Sequence, residues 1–330
     1  MNVLVTGGCG YIGSHVCKLL KKKGHRVVVV DNQIRGWADV STWAILYIAS
    51  TFDQDRVAEI LRSEMIDVVM HFAAYAYVGE SNEKPDIYYE NNVTGTISLL
   101  NAMRASGVSK LVFSSSCATY GELPPDTAIH EEMPQNPINP YGWSKLMCER
   151  IIRDYCSVYG ISAVVFRYFN AAGADPELKL GEDHDPETHI IPLTIKAALD
   201  PVRKLVVNGS DYSTQDGTAV RDYIHVSDIA EAHVLGLEYG AKQPGFSVFN
   251  LGNQRGFSNL EIIQSVERLT GKKINYTFGP RRPGDPAVLV GDNAKAGRIL
   301  GWKPVINELD AILRTAIDWE LKKGNYAKGV

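Results

Sequence analysis

Through its first half the chain alternates two textures. Short runs at 3–5, 26–30, 66–71, 110–114 and 162–166 are rich in Val, Ile and Leu, and mostly apolar at successive positions. A strand buried on both faces reads this way, as in a parallel sheet covered by helices. Between these runs lie longer amphipathic stretches at 12–23, 54–62, 85–105 and 140–155. The alternation predicts an α/β protein with a doubly wound parallel sheet and helices on both faces.

After about residue 170 the texture changes. Residues 171–186 are rich in Gly, Pro and acidic side chains and predict a loop; a second Pro/Gly-rich stretch lies at 279–286. We therefore expect a first domain over 1–170 and a smaller C-terminal substrate domain over 171–330. A strand-plus-helix pattern at 221–237 suggests that the chain returns to the first domain around 221–250.

The first strand runs into G-x-x-G-x-x-G, formed by Gly7, Gly10 and Gly13, which opens a helix. Residues without Cβ let a backbone approach a pyrophosphate closely, and a helix N-terminus favours an anion. Strand, turn and helix in that order give the glycines their meaning as a dinucleotide site. Asp31 ends the second strand about 20 residues on, where a carboxylate accepts from the adenosine ribose and repels a 2′-phosphate. That selects NAD over NADP. Arg35 and Lys21, Lys22 and Lys23 are the alternative phosphate partners, although the lysines read as a solvated helix stripe.

Tyr141 and Lys145 are four residues apart and share one helix face. An ammonium beside a phenol stabilises the phenolate, so the pair is a candidate general base. Ser114, Ser115 and Ser116 end the fourth strand, and open α/β sheets place ligands at strand C-terminal ends. The bland alternative is turn and cap chemistry, most natural for Ser114 and Ser115.

Composition narrows the picture. The 330 residues are 45% hydrophobic and 22% charged, with a net charge of −4. Nothing here suits non-specific nucleic-acid binding. The five cysteines make no C-x-x-C pair, which fits reduced thiols and a cytoplasmic protein. No secretory signal is legible before the first strand, and no apolar run approaches the roughly 18 residues of a membrane helix. The eight histidines are scattered without ligand spacing, so no metal is expected.

TGGCGYIGS at 6–14, HFAAYAYVGES at 71–81, NNVTG at 91–95, SSSCATYG at 114–121, PYGWSKL at 140–146, RYFN at 167–170, DGTAVRDYIH at 216–225 and PRRPGD at 280–285 together carry a resemblance. By these stretches the chain resembles the extended short-chain dehydrogenase/reductases, and within them the UDP-glucose (UDP-galactose) 4-epimerases, over nearly its full length. The resemblance implies a Rossmann-type fold, a homodimer built from helices 85–105 and 140–155, and a role in galactose metabolism. It implies a catalytic trio of Ser116, Tyr141 and Lys145. For NAD it implies Gly7, Gly10, Tyr11, Ile12, Gly13, Asp31, Asn32, Phe72, Ala73, Asn92 and Tyr168, with Tyr141 and Lys145. For the UDP-sugar it implies Asn170, His189, Ile190, Arg221, Arg282, Asp285 and Leu289, with Ser116 and Tyr141. The arginines fall on the diphosphate, Asp285 on the uridine ribose and Leu289 in the sugar pocket. The implied reaction is reversible oxidation at C4 by resident NAD, with Tyr141 as base.

The chain also departs from the pattern. An adenine-side Asp is replaced near Ser50, Thr51 and Phe52, Ala76 stands where some members carry Lys, Asn208 where many carry Phe, and His189 where others have Asn. Some features resemble the UDP-arabinose/UDP-xylose 4-epimerase branch. A dehydratase of the same superfamily needs acids just after the strand-end hydroxyl, where Cys117 and Ala118 stand. A non-catalytic NAD-binding regulator predicts loss of Tyr or Lys, yet both are present.

Overall fold

The computed structural model describes residues 1–124 and 127–326. The chain begins β1 (Asn2–Thr6), α1 (Tyr11–Lys22), β2 (Arg26–Asp31), β3 (Ile45–Ile48), α2 (Gln54–Ser63) and β4 (Val68–His71). A broken helical run follows: α3 (Val78–Glu83), α4 (Pro85–Tyr88), a π-helical segment at Tyr89–Thr94, and α5 (Gly95–Ser106). Next come β5 (Lys110–Ser114), a 3₁₀ turn at Cys117–Thr119, α6 (Pro140–Tyr159), β6 (Ser162–Tyr168) and β7 (Asn170–Ala172). The remainder is α7 (Ile190–Leu199), β8 (Leu205–Asn208), β9 (Val220–His225), α8 (Val226–Gly240), β10 (Phe246–Leu251), β11 (Gly256–Ser258), α9 (Asn259–Thr270), β12 (Tyr276–Gly279), β13 (Val288–Leu289), α10 (Ala294–Leu300) and α11 (Leu309–Tyr326).

Seven strands form one sheet in the order β10-β6-β5-β4-β1-β2-β3, and every pairing is parallel. Alternate residues of each strand serve opposite faces. Val3, Val5, Val27 and Val29 bury against Val16 and Leu20 of α1 and Ile229 and Val234 of α8. Leu4, Val28 and Val30 bury against Val57 and Leu61 of α2, Leu99 and Met103 of α5, and Ile152 of α6. With helices on both faces neither set can be polar, which is why the strands read as continuous apolar runs. The doubly wound α/β class expected from the alternation is what the chain adopts, in the Rossmann-type form that the resemblance implies. Order reverses between β1 and β4, and the crevice outside strand C-terminal ends at such a point is where open α/β sheets hold ligands.

Two of the seven strands were not expected. β3 is a short edge whose Ile45 and Ile48 are exposed, so no burial pattern marks it. β10 lies in the second half of the sequence but pairs along β6 from Phe246↔Ala163 to Leu251↔Tyr168, burying Phe249 and Leu251. The expected helix at 85–105 is also not one α-helix, since its second turn widens into the π segment. The later residues build a small sheet of β11, β9 and β13 with β7 beside β9, and a parallel pair β12-β8. Ile191 and Ile195 of α7, Ile262 and Val266 of α9, and Ile312 and Leu313 of α11 form their separate core.

Candidate active site

The three serines at the end of β5 are sorted by their partners. The Ser114 hydroxyl contacts the Tyr168 hydroxyl. Ser115 donates to Glu149, which also takes Arg167 Nε at 2.9 Å and Nη2 at 2.6 Å. Arg167 continues to Tyr120 Oη at 2.8 Å, and Tyr120 to Asn250 Oδ1 at 2.7 Å. Ser115 thus belongs to a buried charged network beneath the strand ends. Ser116 caps the 3₁₀ turn by accepting from Ala118 N at 3.1 Å, and its hydroxyl lies near enough to Tyr141 to favour the phenolate.

Tyr141 reaches Ser116 because α6 starts hard against that turn. Asn139 caps the helix by accepting from Gly142 N at 2.8 Å, and Pro140 occupies the first helical position, where no N–H is needed. A Cβ on Gly142 would lie 2.4 Å from the Ala118 carbonyl oxygen, so only glycine lets the two segments meet. Lys145 follows one turn later, 3% exposed, with Nζ donating to the Ser114 carbonyl at 2.8 Å.

Burial pushes the Tyr141 phenol well above its ordinary value; neighbouring Tyr168 adds to the rise and the Ser116 hydroxyl works against it. The lowered phenol expected from Lys145 is therefore not the ligand-free state. Burial also lowers Lys145 to about 8, against the raising effect of Cys148 and Glu149. Both groups sit where desolvation outweighs pairwise attraction, which favours a neutral Tyr141 and leaves Lys145 mostly cationic at neutral pH.

The glycine turn tests whether a dinucleotide fits. Gly7 has φ +71°, and its Cβ would lie 2.5 Å from Ala73 N; a Cβ on Gly13 would lie 2.2 Å from the Gly7 oxygen. These two are demanded by the protein's own packing. Gly10 differs: its nearest neighbour would be the Gly7 oxygen at 3.3 Å, and as N-cap of α1 it offers no side chain to the first turn. The helix N-terminus thus presents uncovered backbone to a space that a pyrophosphate suits. Phe72 and Ala73, just after β4, flank this turn, and Ile12 packs on the core beneath it.

Asp31 is 7% exposed and accepts from Cys9 N at 2.9 Å and Gln33 N at 2.7 Å, which fixes its carboxylate beside the turn. Asn32 is exposed and accepts from Ile34 N at 3.2 Å. Arg35 is bidentate on Glu80 at 2.7 and 2.9 Å and so is not free for a phosphate. Tyr11 donates to the Gly173 carbonyl at 2.6 Å, tying α1 to the chain after β7. Asn92 spends its amide on protein: Tyr75 O at 3.0 Å, Ser144 Oγ at 2.9 Å and Tyr75 N at 2.8 Å.

Of the residues expected at the UDP-sugar, Asn170 opens β7 and pairs in register with Tyr223, while Leu289 of β13 pairs opposite Arg221 of β9. Leu289 is 8% exposed and belongs to the core that holds Cys117 and Phe169. Arg221 is paired with Asp285 and donates to the Val220 and Pro286 carbonyls at 2.6 Å. Arg282 is exposed and donates to Thr188 O at 3.2 Å. The loop carrying Arg282 and Asp285 rests on the start of α6, since Asn139 Nδ2 donates to Gly284 O at 3.3 Å. His189 caps α7 ahead of Ile190.

A family model described as "NAD dependent epimerase/dehydratase family" matches residues 3–252. A UDP-glucose 4-epimerase of Lactobacillus helveticus is 50% identical over 320 residues, covering 97% of each chain. The chain belongs to this family. Its fold also matches the UDP-glucose 4-epimerase of Brucella ovis solved with NAD, with a TM-score of 0.92 and 48% identity over 96% of this chain and 97% of that one. The UDP-glucose 4-epimerase of Bifidobacterium longum solved with NAD⁺ and UDP gives a TM-score of 0.93 and 38% identity over 98% and 99%.

Within the family frame the departures acquire positions. Residues 50–52 turn between β3 and α2, and Asp53 just beyond them caps α2 through Arg56 N at 3.1 Å. Ala76 is exposed between Tyr75 and Tyr77, whose rings carry the Arg35 guanidinium at 4.0 and 5.1 Å. Asn208, with its amide turned to satisfy both groups, accepts from Arg282 Nε at 2.8 Å and Nη2 at 3.1 Å. His189 faces Glu182 and Glu187, which outweigh burial and raise its pKa. That grouping escaped a sequence reading based on histidine spacing alone; it shows only when carboxylates are counted with the imidazoles.

Proposed function

We propose that the protein interconverts UDP-glucose and UDP-galactose by 4-epimerisation with NAD held as a resident cofactor. One observation carries the reading: the first turn of α6, with Tyr141, packs directly on the turn that Ser116 caps at the C-terminal end of the parallel sheet. It does so in a chain half identical to a UDP-glucose 4-epimerase over almost its whole length. When bound, NAD supplies a reversible two-electron acceptor for the C4 carbinol and a positive ring charge, with no net redox change over a cycle. Tyr141 removes the 4-hydroxyl proton and later returns one. Ser116 holds the sugar oxygen and the phenol in a single hydrogen-bonded line. Lys145, anchored on the Ser114 carbonyl, supplies the cation that favours phenolate once the cleft is filled.

In this reading Gly7, Gly10, Gly13 and Asp31 hold the cofactor on the part formed by 1–170 and the return through 221–250. Asn170, His189, Ile190, Arg221, Arg282 and Asp285 hold the UDP-sugar against residues 171–330. Two guanidiniums suit a diphosphate, provided Arg221 shares or exchanges Asp285 on binding. Elimination chemistry is disfavoured by the neighbours of Ser116: Ala118 has no acid, and burial pushes the Cys117 thiol up to about 12. The reading places the protein in galactose metabolism in the cytoplasm. It also makes it a homodimer through α5 and α6, where Trp143 and Met147 are 38% and 40% exposed; a monomeric mass by light scattering at micromolar concentration contradicts that assembly.

The test is a turnover screen of the purified protein with UDP-galactose, a UDP-pentose and UDP-N-acetylgalactosamine. UDP-galactose is expected to react best and the pentose to follow, since a missing hydroxymethyl in an apolar pocket costs only ~1–3 kcal/mol. The N-acetyl sugar is expected to react poorly, with Leu289→Ser raising its relative kcat/KM. No turnover of any of the three overturns the function; equal use of hexose and N-acetylhexose overturns the role of Leu289 alone.

A further inference from the structure

The segment between β7 and α7 contains Glu182, His184, Glu187 and His189, each with one ligating atom in a cluster whose members all lie within 4.8 Å of one another. His189 Nδ1 lies 2.7 Å from Glu182 Oε1 and 3.1 Å from Glu187 Oε1. His184 Nδ1 lies 3.1 Å from Glu182 Oε1 and 4.0 Å from Glu187 Oε2. The imidazole centroids are 5.2 Å apart, and the Tyr11 and Tyr77 rings wall His184 at 6.2 and 5.7 Å.

A second observation points to a ligand. The Glu187 side chain is only 6% exposed, yet its Oε2 is buried with no hydrogen-bond partner. Buried carboxylate oxygens are costly when left unpaired. At 4.0 Å from His184 Nδ1 this oxygen is too far to accept a hydrogen bond, but near enough for one ion to bind both. A tetrahedral site with bonds of 2.0–2.2 Å sets its donors about 3.3–3.6 Å apart; the imidazole-to-carboxylate separations, taken over both oxygens of Glu187, run from 2.7 to 4.0 Å around that value, and the four ligating atoms stay within 4.8 Å of one another. Two imidazoles with two carboxylates suit Zn²⁺; Mg²⁺ and Ca²⁺ ask for oxygen ligands alone.

We propose that Glu182, His184, Glu187 and His189 form a zinc site that fastens this segment to the start of α7. The ion would also fix Thr188, which lies between two of the ligands and whose carbonyl accepts from Arg282 Nη2 at 3.2 Å. The competing account is an ion-pair network complete without metal.

The tag-free full-length protein, stripped with EDTA and dialysed, is titrated with zinc chloride alone by calorimetry. Metal per chain is then read by plasma mass spectrometry after desalting. One zinc per chain is expected, with affinity falling about 100-fold or more in His184→Ala and in Glu187→Gln. Loss of any of these ligands should also abolish the rise in Tm that zinc gives the parent protein. Glu187→Gln keeps the side chain's shape, and the melting curve of each variant in EDTA shows whether it folds. Cobalt(II) loaded into the unaltered protein supplies a readout free of any substitution: a visible absorption band of a four-coordinate site is expected. No stoichiometric zinc in the unaltered protein, no four-coordinate cobalt spectrum, or unchanged zinc affinity in both folded variants overturns the proposal.

Discussion

Three adjacent serines with one chemistry have three different environments, and those environments decide what each substitution does. Of the three serines Ser116 is the one whose hydroxyl acts on the candidate base, so Ser116→Ala should lower kcat by about 10²-fold or more, as removal of a group assisting proton transfer does. Ser114→Ala loses only the contact with Tyr168 and should act mainly on cofactor-side packing. Tyr141→Phe should abolish turnover and leave UDP binding largely intact, because the ring is kept and the proton acceptor is lost. Rates and UDP affinities measured side by side check this; equal damage from Ser114→Ala and Ser116→Ala would contradict the sorting. That Tyr141 and Lys145 share one face of a helix was legible as a four-residue spacing. Their protonation was not, because desolvation depends on what surrounds a group and no spacing encodes it.

At the scale of elements, the sequence carried most of the sheet. Apolar runs buried on both faces announced five of its strands, while β3 and β10 stayed hidden because an exposed edge and a strand distant along the chain leave no local pattern. The helix expected at 85–105 concealed the widened turn at Tyr89–Thr94. Such π turns concentrate at functional sites, and this one carries Asn92. A sequence reading sees Asn92 only as a cofactor residue, whereas its amide joins the chain after β4 to α6 through Tyr75 and Ser144. Asn92→Leu leaves the partly buried Tyr75 backbone without these partners and should cost about 1 kcal/mol per lost bond. Urea unfolding checks the figure, and an unchanged midpoint would show that the widened turn does not depend on this bridge.

At the scale of the whole molecule, acid stability follows from buried imidazoles. Burial lowers His15, His225 and His233 to about 4 and His71 to about 3, from an ordinary 6.5. The unfolded chain therefore takes up these protons first. Stability is fully present above about 6.5 and drains as pH falls toward 4, by about 3 kcal/mol for each fully neutral imidazole. Asp222, raised to about 7 by burial, opposes the trend, and so do Asp31 and Asp228, which burial also raises. Unfolding free energy measured from pH 7 to pH 4.5 should fall steadily, and a flat profile would contradict the burial of these rings. The Arg282–Asp285 loop rests through Gly284 on Asn139, at the start of the helix that carries Tyr141, and the central claim of the account is that a UDP-sugar is epimerised at C4 there with resident NAD. The most direct measurement of that claim follows UDP-galactose carrying deuterium at C4, incubated with the purified protein and read by NMR. The account predicts UDP-glucose that keeps deuterium at C4, without added NAD and without net reduction, and no product from Tyr141→Phe. Product whose C4 hydrogen comes from solvent, or no product at all, would contradict it.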